Sequence, residues 1–157
     1  MKLYIILLTI LTLFIFPSCM AEKPEINTSQ NQLYWYSNIE EAISNASTDN
    51  KAILINFTGS DWCGWCVRLK DEVFSQEDFS TFAQENLILV KLDYPRNIAQ
   101  SDETKLYNNQ MMAKYQVKGF PTIVLLDSKG KEIGRTGYKP GGPAVYVTHL
   151  QSIIEGR

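Results

Sequence analysis

Cys63 and Cys66 are separated by Gly64 and Trp65. Two thiols at that spacing can close a small disulfide. They can also supply one attacking thiolate and a second thiol that resolves the mixed disulfide it forms. The apolar run Ala52-Ile53-Leu54-Ile55-Asn56-Phe57 leads through Thr58–Trp62 into the pair, and Val67–Phe74 follows with helical spacing. The pair therefore falls at a strand-to-helix junction. The first N–H groups of a helix lack intrahelical partners, and its dipole places partial positive charge there, which stabilises a thiolate on Cys63. Cys63, first and nearer solvent, is the expected nucleophile; Cys66, one turn inward, is the expected resolving thiol. A static staple is a weaker reading, because so short a loop removes little chain entropy. Half of a zinc site is also weaker, since Cys63, Cys66 and His149 fall short of four ligands.

The elements that must hold this pair can be read on either side of it. Ser37-Asn38-Ile39-Glu40 has capping-box spacing, and Ile39, Ala42, Ile43 and Ala46 follow at helical intervals. Ala52–Phe57 and Leu87–Asp93 are short, nearly continuous apolar runs, as expected of strands buried on both faces. A helix after the cysteines is predicted to run to about Phe74. Another opens at Ser75–Asp78 with Phe79, Phe82 and Ala83 on one side. Asp102–Tyr115 reads as a helix with Leu106, Met111, Met112 and Tyr115 as its apolar positions. Ile123–Leu126 and Glu132–Thr136 flank a turn at Asp127–Lys131. Pro143–Ile154 closes the chain as a helix with Val147, Leu150, Ile153 and Ile154 inward. Helices alternating with buried runs, then a hairpin, imply an α/β fold: a mixed sheet with helices on both faces.

The amino-terminal residues differ from the rest. Lys2 precedes an almost unbroken apolar stretch, Leu3–Phe16, and then Pro17-Ser18-Cys19. That order predicts a secretory signal peptide over residues 1–19. The stretch is shorter than the ~20 apolar residues of a spanning helix. Two processing routes fit: lipidation of Cys19, whose surroundings are similar to a bacterial lipobox, or cleavage after Ala21. Either removes Cys19 from the thiol inventory of three cysteines and leaves one pair in the mature chain. Residues 20–32 are polar and aperiodic and read as a flexible linker, leaving residues 33–157 as the domain. The 157-residue chain is 45% hydrophobic and 20% charged with a formal net charge of −2, ordinary for a globular protein and no basis for nucleic-acid binding.

From about residue 33 to 156 the chain resembles the thioredoxin superfamily. The resemblance is carried by Trp62-Cys63-Gly64-Trp65-Cys66 at a helix start and by Gly119-Phe120-Pro121-Thr122 before a hairpin. It is especially similar to exported bacterial thioredoxin-like proteins. The resemblance implies the thioredoxin fold and a cis Pro121 beside the cysteines, with Phe120 and Pro121 offering backbone to an extended substrate. It matches Trp62 to a family tryptophan. Trp65 departs from the usual proline or histidine, and two readings stand for it: an apolar docking surface, or packing over the helix. Asn56 stands where the family has a buried aspartate; asparagine can hydrogen-bond but cannot accept a proton, so activation of Cys66 then relies on water or another group. Lys91 matches a family lysine that could tune the site, or it is a solvated lysine at a strand edge. Asp61 is expected in a turn or as a helix cap, and His149 is expected to be inert.

The resemblance implies an exported, lipid-anchored enzyme exchanging disulfides with protein thiols and disulfides, fed by a membrane or periplasmic redox partner, with no metal or organic cofactor. The direction of exchange is set by reduction potential and is open in the sequence. The competing reading is a thioredoxin-fold adaptor or redox sensor binding partners through Trp62, Trp65 and Phe120.

Overall fold

The computed structural model describes residues 33–156; the expected signal peptide and the expected linker lie outside them. The elements in order are β1 (Trp35–Tyr36), α1 (Ile39–Asp49), β2 (Ala52–Thr58), α2 (Gly64–Leu69), a π-helical turn (Lys70–Phe74), α3 (Glu77–Asn86), β3 (Leu87–Asp93), α4 (Asp102–Lys114), β4 (Thr122–Leu126), β5 (Glu132–Thr136) and α5 (Gly142–Ile154). The sheet runs β1-β3-β2-β4-β5. β1 and β2 pair parallel with β3, while β4 pairs antiparallel with both β2 and β5. This is the mixed sheet expected from the alternation of elements.

β2 is buried along its whole length. Its alternate residues serve two cores, because successive side chains leave opposite faces of a strand. Leu54 joins Leu89, Ile123 and Leu125 beneath Leu69, Val73, Phe79, Phe82, Tyr146 and Leu150 of the helices on one face. Ile53, Ile55 and Phe57 join Val90, Leu92 and Val124 against Ile39, Ala42, Ala46 and Met111 on the other. Asn56 and Thr58 continue the Leu54 row, and Asn56 is in register with Lys91 of β3. The row therefore turns polar where it passes beneath the cysteine-bearing helix.

The structure corrects three local expectations and adds one element. Asn38, not Ser37, caps α1: its backbone is extended and its Oδ1 accepts the Glu41 N–H at 2.8 Å. Asn caps as well as Ser, and Glu40 is instead engaged by the Tyr107 hydroxyl at 2.7 Å. Leu106 is exposed, because the inward row of α4 is Asn108, Met111 and then Tyr115, and Leu106 is out of phase with it. The helix after the cysteines is not uniform: at Lys70 it widens into the π-turn, where the Ser75 N–H reaches back five residues to the Lys70 carbonyl at 2.9 Å. Trp35–Tyr36 adds an edge strand that its two-residue length hid.

Candidate active site

Cys63 and Cys66 form a disulfide at the start of α2. Cys63 is the cap residue of that helix, and its Sγ accepts the Cys66 N–H at 3.2 Å. The two cysteines are nearly equally buried, 7% and 5% exposed. The difference in access expected from their order is therefore small in the disulfide form, since the bond holds both sulfurs together. The turn that delivers them is closed by the Gly59 carbonyl, which accepts N–H bonds from Trp62 and Cys63 at 3.3 and 2.9 Å.

That turn is fastened to the loop after β3. The Asp93 carboxylate accepts the Ser60 N–H at 2.9 Å and the Ser60 hydroxyl at 2.5 Å. Trp62 Nε1–H donates to the Tyr94 carbonyl at 2.7 Å. Asp61 does not cap α2; it accepts the Arg96 and Asn97 N–H groups at 2.9 and 2.6 Å. Those bonds, the Arg96 one foremost, hold the Asp61 carboxyl below its ordinary range. The Arg96 guanidinium lies 3.9 Å from the centre of the Trp62 ring, a cation–π contact. The Trp62 edge also meets Phe120 at 5.8 Å, and Phe120 stacks on Tyr94 at 5.0 Å. Trp62, Phe120 and Tyr94 thus form one aromatic chain beside Pro121.

The Phe120–Pro121 peptide bond is cis. Pro121 lines an open groove of about 550 Å³ with Trp65, Arg68, Phe120, Tyr138 and Pro140. Trp65 packs one face at 5.2 Å against Tyr138 and leaves 56% of the residue exposed. Arg68 lies within 5.8 Å of both rings and pairs with Glu72 at 2.6 Å. Glu72 also accepts the Tyr138 hydroxyl at 2.6 Å. The Tyr138 bond first, and the Arg68 bond second, hold the Glu72 carboxyl down.

Asn56 and Lys91 stand on the opposite side of α2 from this groove's opening, around a second cavity of about 240 Å³ that also reaches Cys66. Asn56 is buried and Lys91 is exposed, on the part of β3 beyond its pairing with β1. His149 lies on α5 with Nε2 2.9 Å from the Thr136 hydroxyl; burial, with Lys139 adding to it, lowers its proton affinity. The sequence reading missed Arg68, Glu72, Arg96 and Tyr138. Glu72 was findable as the i+4 partner of Arg68 on a helix; Arg96 and Tyr138 carried no local sign.

A thioredoxin-like domain model matches residues 39–144. The chain is 38% identical over 125 residues to the disulfide bond reductase DsbH of Chlamydia pneumoniae, spanning 80% of this chain and 75% of that protein. It belongs to the thioredoxin-like family of thiol–disulfide oxidoreductases. A solved structure of a DsbH oxidoreductase superposes with a TM-score of 0.75 at 38% identity, over 80% of this chain and 87% of that one. The thioredoxin-related protein DsbJ of Chlamydia pneumoniae is 25% identical over 71% of this chain, which spans 32% of that longer protein. A thioredoxin from Thermus thermophilus, at 21% identity and TM-score 0.57 over 77% of this chain and 86% of that one, shares the fold.

Proposed function

We propose that this enzyme is exported and reduces disulfides in proteins, with Cys63 as nucleophile and Cys66 as resolving thiol. The observation that carries the assignment is the seat of Cys63: it caps the helix, and its sulfur already accepts a backbone N–H. A thiolate formed there keeps that donor and the positive end of the helix. It attacks one sulfur of a substrate disulfide; a Cys63–substrate disulfide forms and the other substrate sulfur leaves as a thiolate. Cys66 then loses its proton and attacks Cys63, closing the intramolecular disulfide and releasing the second substrate thiolate. A partner dithiol returns two electrons and two protons. The groove beside Pro121 receives the extended substrate segment, with Phe120, Trp62 and Trp65 providing apolar contact. The similarity to a disulfide bond reductase supports reduction as the working direction.

Insulin reduction tests this assignment. Cys63→Ser abolishes turnover, whereas Cys66→Ser accumulates a mixed disulfide with substrate. Turnover indifferent to both substitutions overturns it. Export, an envelope location and a membrane tether at Cys19 rest on Lys2, the Leu3–Phe16 stretch and Ser18-Cys19. On fractionation the protein is expected with membranes, and Cys19→Ala is expected to release it; a cytosolic wild type would overturn both.

A further inference from the structure

We propose that the site favours protein disulfides flanked by acidic residues, and that Arg96 is the residue that sets this preference. The Arg96 guanidinium lies 3.9 Å from the centre of the Trp62 ring, and Trp62 directly precedes Cys63. A guanidinium stacks through its flat face and donates hydrogen bonds from its edge, so stacking leaves its N–H fork free. Among the described residues that fork makes no hydrogen bond or ion pair; only the Arg96 backbone N–H is used, by Asp61. Arg68, on the other side of the groove, differs, because Glu72 neutralises it.

The carboxylates around the site are already engaged. Asp61 turns to the Arg96 and Asn97 N–H groups, and Asp93 holds Ser60. Asp102, at the start of α4, pairs with Lys105, and Glu72 is taken by Arg68 and Tyr138. Lys118 is exposed two residues before Phe120, and Lys139 stands between the groove residues Tyr138 and Pro140. The chain as a whole carries a formal net charge of −2. A rim with uncommitted cations and committed carboxylates is therefore a local arrangement, not a consequence of composition.

Trp62 links the groove to the free fork. Its ring meets Arg96 at 3.9 Å and Phe120, which lines the groove, at 5.8 Å. Extended chain advances about 3.3–3.6 Å per residue. A substrate carboxylate two or three residues from the contact with Phe120 can therefore meet the guanidinium edge. Arg–carboxylate pairs are charge-assisted and frequently bidentate. Complementary charge at the rim also speeds the encounter, whereas a basic segment meets like charge there.

The proposal rests on the exchange chemistry assigned to the cysteines and adds the class of segment it favours. The test uses three synthetic peptides, each with one disulfide and identical except for Glu, Gln or Lys at the second and third residues flanking each cysteine. The full chain reduces them with its pair kept reduced, and each kcat/KM is divided by the rate of reduction of that peptide by dithiothreitol, which removes its intrinsic reactivity. At about 10 mM salt, where screening is weak, the Glu peptide is expected to exceed the Gln peptide about threefold to fivefold, with the Lys peptide below both. At 1 M salt the screening length is about 3 Å and the three values should converge. Arg96→Glu should invert the order, and Arg96→Lys should retain part of the preference, since it keeps the charge and loses the fork. Wild-type values that agree for all three peptides overturn the proposal, as does an Arg96→Glu loss equal for all three, which marks a residue that only covers the indole. If Arg96→Glu does not fold, Arg96→Gln, which should abolish the preference without inverting it, and the wild-type salt series carry the same decision. Failure to reduce any of the peptides removes the exchange assignment and this proposal with it; equal reduction of all three removes the preference alone.

Discussion

Asp61 shows how a residue beside the nucleophile acts without entering the chemistry. Its negative charge would oppose a neighbouring thiolate, but its oxygens are turned to the Arg96 and Asn97 amides and fasten the loop that carries Arg96. Because its folded-state carboxyl lies below the ordinary value, the clamp is fully present above the unfolded carboxyl range of about 4. It is lost as pH falls through the lower, folded value. Hydrogen-exchange protection of the Arg96 and Asn97 amides should therefore hold from pH 7 to about 5 and fall below about 4. Asp61→Ala should remove that protection at every pH; acid-insensitive protection in the wild type would contradict the assignment. The Arg68–Glu72 pair is solvent-exposed and worth little as a salt bridge. Its part is to fix Tyr138, and through it the packed face of Trp65.

At the scale of elements, the turn between β2 and α2 sets the site, and Gly59 is the residue that lets it close. A Cβ on Gly59 would stand 2.5–2.8 Å from three atoms of the Trp62 indole. No rigid ring tolerates that approach, so Gly59→Ala must displace Trp62. With it go the bond to the Tyr94 carbonyl and the Arg96 contact. The expected cost is about 1–3 kcal/mol of stability, as for overpacking elsewhere, together with a fall in kcat/KM for insulin. Denaturant unfolding and the insulin assay measure the two. Wild-type values for both would show that the indole has somewhere else to go. The π-turn at Lys70–Phe74 belongs to the same scale: it inserts a residue's worth of helix just after Cys66, and such bulges are often found at functional sites.

At the scale of the molecule, two cores on opposite faces of the sheet carry the fold, and the disulfide adds little to them. Closing a four-residue loop contributes about 2 kcal/mol in the chain-entropy model. Truncating Leu54, fully buried in β2, should cost about 2–5 kcal/mol. A Cys63→Ser/Cys66→Ser double variant should accordingly stay folded and lose less stability than Leu54→Ala. Urea melts of the two variants decide the order; the reverse order would make the pair a structural staple as much as a redox centre.

The sequence by itself determined the chemistry and the layering. Two cysteines at a strand-to-helix junction identify a redox pair, and fully apolar runs alternating with amphipathic helices require a sheet covered on both faces, because both are local patterns with short periods. Element ends were less legible: Ser37 and Asn38 are equally good caps, and only the packing of Ile39, Ala42 and Ala46 chose between them. What surrounds the pair was decided by the tertiary structure alone. Arg96 reaches Trp62 across 34 residues of chain, and Tyr138 reaches Glu72 across 66. No periodicity encodes such meetings. Asn56 is the clearest case: the sequence shows its type and strand, but only the fold leaves its buried oxygen without a partner among the described residues, because a hydrogen bond missing from a core is a property of every neighbour at once.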